Sequence, residues 1–436
     1  MSHVLFGTSQ ITEDGQLEIA GCLASDLAKE YGTPLFIYDV AKMKEMARGF
    51  KQTFDTFGTP HKVMYASKAF SCKAIYQLLK NEGLGFDVVS SGEIFTALAA
   101  GIEPSMLEFH GNNKTPAELE YAIDSAVGTI VIDNFNELDI VSRLVKVKNK
   151  IQTILLRVTP GVDAHTHDYI LTGQEDSKFG FDVKSGQAAE ALVKALADNQ
   201  LIVAGIHCHI GSQIFDTSGF TAATEQMMSL LVDWRHQYDY VADVLNLGGG
   251  FGVRYTKEDT PLEPRMYVEK MIKEVKRLSK ATDYPIPEIW IEPGRSIVAE
   301  AGTTLYTVGS RKEVANVRTF VAVDGGMGDN IRPALYQAKY TGLLADRAYD
   351  NPTETVTIVG KYCESGDRLI EDIELPHANT GDIFAMLTTG AYGYSMANHY
   401  NRNPKPAVVF VEDGQSQLVL RRETWADLIL LDNDLK

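Results

Sequence analysis

From residue 62 onward the chain alternates short β-branched apolar runs with amphipathic stretches. The apolar runs cover 62–68, 85–90, 106–111, 129–134, 153–159, 203–210, 244–249 and 288–292. Segments between them, such as 72–81, 92–100, 116–125 and 220–236, repeat apolar residues at helical spacing. Eight strand-like runs, each followed by room for a helix, predict an α/β fold of the (β/α)₈ TIM-type barrel class. After Gly294 the rhythm changes. Runs 305–308, 319–323, 354–359, 381–387, 408–411 and 417–421 read as strands with turn-rich gaps, which predicts an all-β C-terminal domain. The N-terminal stretch lies outside the barrel repeat and is assigned to that β domain. The expected division is a barrel over 35–297 and a β domain over 1–34 and 298–436. The polar segment 165–177 falls in the longest interval between runs and is expected to be an active-site lid.

Composition narrows the partners. Lys+Arg 41 against Asp+Glu 58 leaves a net charge of −17, which argues against nucleic acid or an anionic membrane as a partner. Apolar content of 44% supplies ample core. The four cysteines, Cys22, Cys72, Cys208 and Cys363, form no C-x-x-C pair, so neither a disulfide scaffold nor a zinc cluster is indicated. Residues 1–19 lack an apolar signal segment and no run is long enough to span a bilayer, so a cytoplasmic location is expected.

The chemically loaded residues fall at the ends of the apolar runs: Lys68, Asp87, His110, His209, Gly248-Gly249-Gly250 and Glu292. In a (β/α)₈ barrel those ends converge on the face where active sites are built. Lys68 alone reads more readily as a snorkelling lysine at a strand terminus. In this company it suits an amine that captures an aldehyde, provided the strand end is dry enough to lower its pKa. Three successive glycines let backbone N–H groups approach a phosphate, with a following helix N-terminus adding its dipole; the plainer alternative is a tight turn. His207-Cys208-His209 places two imidazoles on one face of a strand. That spacing can bind metal, but a lysine and a glycine cradle are not what metal hydrolysis needs, so no metal is expected and His209 is read as stacking on a flat ring. Glu292-Pro293-Gly294-Arg295 offers a carboxylate for a ring nitrogen and an arginine for an anion, or simply an ion pair. Cys363-Glu364 offers a thiol beside a carboxylate that can act as an acid, or simply a buried cysteine, which is the commoner case.

The chain resembles the fold-type III pyridoxal-phosphate decarboxylases, whose barrel and β domain are alanine-racemase-like. The resemblance spans about 34–401 and is carried by Tyr65-Ala66-Ser67-Lys68-Ala69, Phe86-Asp87-Val88-Val89-Ser90-Ser91-Gly92-Glu93, His209-Ile210-Gly211-Ser212-Gln213, the triple glycine and Glu292-Pro293-Gly294-Arg295. Further on it is carried by Arg332-Pro333-Ala334-Leu335-Tyr336, Cys363-Glu364-Ser365-Gly366-Asp367 and Gly390-Ala391-Tyr392-Gly393-Tyr394-Ser395. Phe70 departs from the asparagine more usual after Lys-Ala. The resemblance implies pyridoxal 5′-phosphate as cofactor, Lys68 as its covalent anchor, His209 stacked on its ring and Glu292 on its ring nitrogen. Ser212, Gly249, Gly250, Pro293, Gly294 and Arg295 would hold its phosphate, with Asp87 in support. Arg295, Arg332 and Tyr336 would bind substrate carboxylates, Glu364 a distal ammonium, and Tyr392 both cofactor and substrate. Cys363 would donate a proton and, with Glu364, reach the site from the other subunit of a homodimer. The implied reaction is decarboxylation of meso-2,6-diaminopimelate to L-lysine. Ornithine- or arginine-type decarboxylases of the same fold, and a binding protein that has lost the chemistry, are the alternatives.

Overall fold

A computed structural model describes residues 4–161 and 177–435. Most of the expected lid, 165–176, lies outside the described residues. The chain divides into two compact units. One comprises Met46–Gly252 and Pro261–Gly294; the other comprises Met1–Glu45, Val253–Thr260 and Arg295–Lys436.

The first unit is a closed parallel barrel. Its strands are β1 (His61–Ala66), β2 (Gly85–Val88), β3 (Leu107–Phe109), β4 (Thr129–Ile132), β5 (Gln152–Thr159), β6 (Leu201–His207), β7 (Val244–Asn246) and β8 (Glu288–Ile291). They pair in chain order, and Ile289 opposite His61 joins β8 back to β1. All eight predicted runs are strands. Every interval from β1 to β8 contains a helix, from Lys73–Asn81 to Pro264–Thr282. Several helices start within a few residues of a strand end because the sequence supplies a cap there. Ser90 Oγ accepts from Glu93 N–H (3.2 Å) while Glu93 accepts from Val89 N–H (2.7 Å), and Asn134 accepts from Glu137 N–H (3.0 Å). Part of the Ser90-Ser91-Gly92-Glu93 motif is therefore helix capping.

The barrel interior has two chemistries. Met64, Val131, Leu155, Ala204, Val244 and Trp290 form an apolar plug. Asp87, Glu108, Asn246 and His207 sit at or near the C-terminal ends of their strands and are all buried. An apolar floor beneath a polar mouth is what an enzyme barrel requires.

The second unit is a mixed sheet. Its strand order is Arg368–Leu375, Glu354–Val359, Arg318–Val323, Gly302–Val314, Leu35–Asp39, Ala407–Glu412 and Gln415–Leu420. Ile383–Leu387 pairs with both Gly302–Val314 and Gly342–Leu344. Leu35–Asp39 lies beyond the residue-35 boundary drawn from the pattern, yet it pairs antiparallel with Gly302–Leu305 and parallel with Ala407–Val411. Five consecutive buried residues look like a barrel strand in sequence; their pairing puts them at the centre of this sheet. Strand Arg368–Leu375 escaped the pattern because three acidic residues interrupt its apolar positions. No described helix is long and apolar enough to cross a membrane.

Candidate active site

The barrel mouth is laced by backbone bonds that continue past the strands. Glu292 N–H donates to Gly248 O (2.9 Å), Cys208 N–H to Asn246 O (3.0 Å) and His110 N–H to Val88 O (2.8 Å). These bonds fix the residues that follow each strand almost as firmly as the strands themselves.

Glu292 is the centre of the site. Its carboxylate accepts from Asn246 Nδ2 at Oε1 (2.7 Å) and from His207 Nε2 at Oε2 (3.3 Å), and His110 Nε2 stands 3.3 Å from Oε1. Asn246 Nδ2 also donates to Glu108 (2.9 Å), while its Oδ1 accepts from Gly248 N–H (2.9 Å). One amide thus locks two carboxylates and the glycine turn. Burial would raise the pKa of Glu292, but His207 and His110 outweigh it and hold the carboxyl well below its ordinary value. The two histidines differ. Burial keeps His207 down at about 4 despite Glu292, so it is a neutral donor. Burial opposes protonation of His110 as well, yet Asp87, Glu292 and Glu108 drive it up to about 10. His110 is therefore the buried cation that balances Glu292. Burial raises Asp87, and lifts Glu108 to about 7, against the opposing charge of His110.

His110, His207 and Glu292 also bring three ligand-type atoms within 4.8 Å of one another. The pair proposed from the H-x-H spacing does not meet in that way. Strand β6 ends at His207, so alternation stops there, and His209 turns to accept from Gly249 N–H at its Nδ1 (3.2 Å). Burial and then the Lys68 charge hold His209 well below its usual value, which leaves a neutral ring.

Lys68 sits on a single 3₁₀ turn, Ser67–Ala69, directly after β1. That turn leaves its side chain exposed. Among the described residues, the dry environment expected of a strand end is not provided around Lys68. Its charge still acts on Asp87, Glu93 and His209. The triple glycine also differs from expectation, since no helix follows it directly; the next helix is Pro264–Thr282. Its glycines are required by crowding. A Cβ on Gly248, Gly249 or Gly250 would strike a carbonyl oxygen of Cys208, Glu292 or Gly211 respectively. A short helix, Arg295–Val298, begins instead after Gly294, whose own Cβ would meet Ala66. Ser212 is half-buried in the loop after His209.

The second unit gathers its own cluster. Arg295 and Arg332 are both buried and both donate to one phenol, Tyr255 Oη, at 2.7 and 3.0 Å. Arg295 lies 4.8 Å over the ring of Tyr392, and Tyr336 ends the helix that Arg332 begins. Cys363 and Glu364 lie on an exposed turn, where Cys363 N–H donates to Asn401 and Tyr400 Oη donates to Glu364. Sequence reasoning missed Glu108, Asn246 and Tyr255. The visible signal for the first two was a polar residue inside an apolar run.

An ionised buried carboxylate, an exposed primary amine and a glycine turn too crowded for side chains fit pyridoxal phosphate. The wider class agrees: residues 40–299 match the family model described as the pyridoxal-binding domain of pyridoxal-dependent decarboxylases. Diaminopimelate decarboxylase of Bacillus methanolicus is 58% identical over 96% of each chain, and that of Bacillus subtilis 56% identical over 99% of this chain and 98% of the relative. A crystal structure of diaminopimelate decarboxylase from M. jannaschii in co-complex with L-lysine superimposes with a TM-score of 0.92, at 35% identity over 98% of both chains. The chain belongs to the diaminopimelate decarboxylase family.

Proposed function

We propose how this chain's residues divide the work of a pyridoxal-phosphate-dependent decarboxylation that converts meso-2,6-diaminopimelate to L-lysine and CO₂. The cofactor, when bound, would supply the electron sink that decarboxylation needs. Lys68 would anchor its aldehyde, and the exposed position of this residue would leave the amine open to the substrate. Glu292 keeps a proton on the ring nitrogen. This reading rests on one observation: the buried carboxylate of Glu292 lies against His110, His207 and Asn246, and the two histidines favour its ionised form. An ionised partner favours the protonated ring nitrogen, which deepens the sink. His209, kept neutral, would pack against the cofactor ring without competing for that proton. Backbone N–H groups of Gly249, Gly250, Gly294 and Arg295, shaped by Pro293 and joined by Ser212, hold the phosphate, while Asp87 supports His110.

Arg295, Arg332 and Tyr336 receive substrate carboxylate, Glu364 the distal ammonium, and Tyr392 contacts substrate and cofactor. Cys363 gives the proton that replaces CO₂ at Cα. Its exposure, with that of Glu364, supports delivery to the site of a second copy, hence a homodimer with shared sites. Cytoplasmic location follows from the same reading. A pair of buried guanidiniums suits a substrate with a second carboxylate, since sites built to bond a polar group reject analogues lacking it by roughly 10⁴-fold. CO₂ release from meso-diaminopimelate, ornithine and arginine tests this. A kcat/KM for meso-diaminopimelate more than about 10³-fold above both others is expected; equal or better use of ornithine or arginine would overturn it.

A further inference from the structure

The residues assigned to catalysis and binding leave Tyr255 without a role, although it is the acceptor at which Arg295 and Arg332 converge. It lies in a segment, Val253–Thr260, that falls between two barrel strands in sequence yet clusters with the β-domain unit. The segment is tightly held. The backbone N–H groups of Tyr255 and Thr256 both donate to Asp259 Oδ2 (2.9 and 2.8 Å), and Arg254 Nε donates to Asp259 O (2.9 Å). Arg254 N–H is fixed in turn by Glu300 (3.2 Å). The side chain is 7% exposed, with Tyr340 edge-on to its ring at 5.3 Å.

We propose that Tyr255 is a positioning residue for the carboxylate receptor: its single phenolic oxygen, shared by Arg295 and Arg332, fixes two guanidiniums that would otherwise repel. Packing alone would be served equally by a phenyl ring. Only the oxygen explains the two bonds, and the guanidiniums lie 5.8 and 5.0 Å from the ring itself. Among the described residues Arg332 bonds Tyr255 and Tyr340 through Nη1 alone, which leaves its Nε–Nη2 edge for a bidentate carboxylate. Burial would raise the phenol's pKa, but the two arginines reverse that shift and lower it, as a shared acceptor of two cations requires. This inference rests on the proposed reaction and refines its specificity. The product keeps the carboxylate that is not lost, so L-lysine and the retained end of the substrate read the same receptor.

The test compares the cofactor-loaded full chain with Tyr255→Phe. The KM for meso-diaminopimelate and the inhibition constant of L-lysine should each rise roughly ten- to hundredfold, while kcat stays within about threefold and pyridoxal-phosphate affinity, read by equilibrium dialysis, does not move. Unchanged KM and L-lysine inhibition, or a parallel loss of cofactor affinity, would overturn the assignment. Should that variant not fold, Asp259→Ala, which releases the segment's backbone, must show the same selective rise, and an unaltered L-lysine constant overturns the proposal. A parent protein that neither turns over meso-diaminopimelate nor is inhibited by L-lysine would instead bring down the reading of the site on which this one stands.

Discussion

Glu292 carries charge where charge is costly: burying an ion costs several kcal/mol unless bonds and countercharge offset it. Asn246, His207 and His110 supply both, at 2.7, 3.3 and 3.3 Å. Glu292→Gln keeps the shape and removes the ionised group proposed as the partner of the ring nitrogen. We expect kcat to fall roughly a hundredfold or more with the cofactor retained; unchanged turnover would contradict the assignment. His110 adds a pH signature. Its pKa is raised in the folded protein to about 10, so its contribution is complete below its unfolded value near 6.5 and is lost as pH rises through about 10. Urea unfolding of the protein should show stability falling across that window, and the fall should flatten in His110→Gln. At this scale Lys68, Glu292 and His209 stand out in the sequence because they fall at or near the ends of apolar runs. Glu108 and Asn246 do not, since a polar residue within a strand announces its partner only once the barrel closes. Tyr255 gave no signal, because nothing local links residue 255 to arginines at 295 and 332.

The strands of the barrel were readable from β-branched runs because a parallel strand buried on both faces leaves an unbroken apolar signature. Where that signature is diluted, reading failed: Arg368–Leu375 alternates with acids, and Gly342–Leu344 is only three residues long. Leu35–Asp39 shows the reverse error, a signature so complete that it suits either unit. The triple glycine was legible as a special turn, but its cause was not. Neighbouring loop carbonyls, invisible in sequence, leave no room for Cβ atoms. Gly249→Ala should therefore push against the Glu292 backbone, costing about 1–3 kcal/mol of stability and weakening cofactor binding. Thermal unfolding and dialysis against pyridoxal phosphate would check both effects, and a variant as stable and as well loaded as the parent would count against this account of the turn.

At the scale of the molecule, the exposed Cys363–Glu364 turn and the barrel's Lys68 make a claim about assembly. If each site takes Lys68 from one copy and Cys363 from the other, mixing inactive Lys68→Ala with slow Cys363→Ala subunits creates hybrids with one intact site. Random pairing of equal amounts should then restore about a quarter of parental activity; no recovery after confirmed subunit exchange would argue that each chain completes its own site. The proposed reaction depends on Lys68 as the anchor. Borohydride reduction of the cofactor-loaded protein, followed by peptide mapping, reads this directly: the pyridoxyl label is predicted on the peptide containing Lys68 and absent from Lys68→Ala, whereas a label on another lysine, or none, would contradict the account.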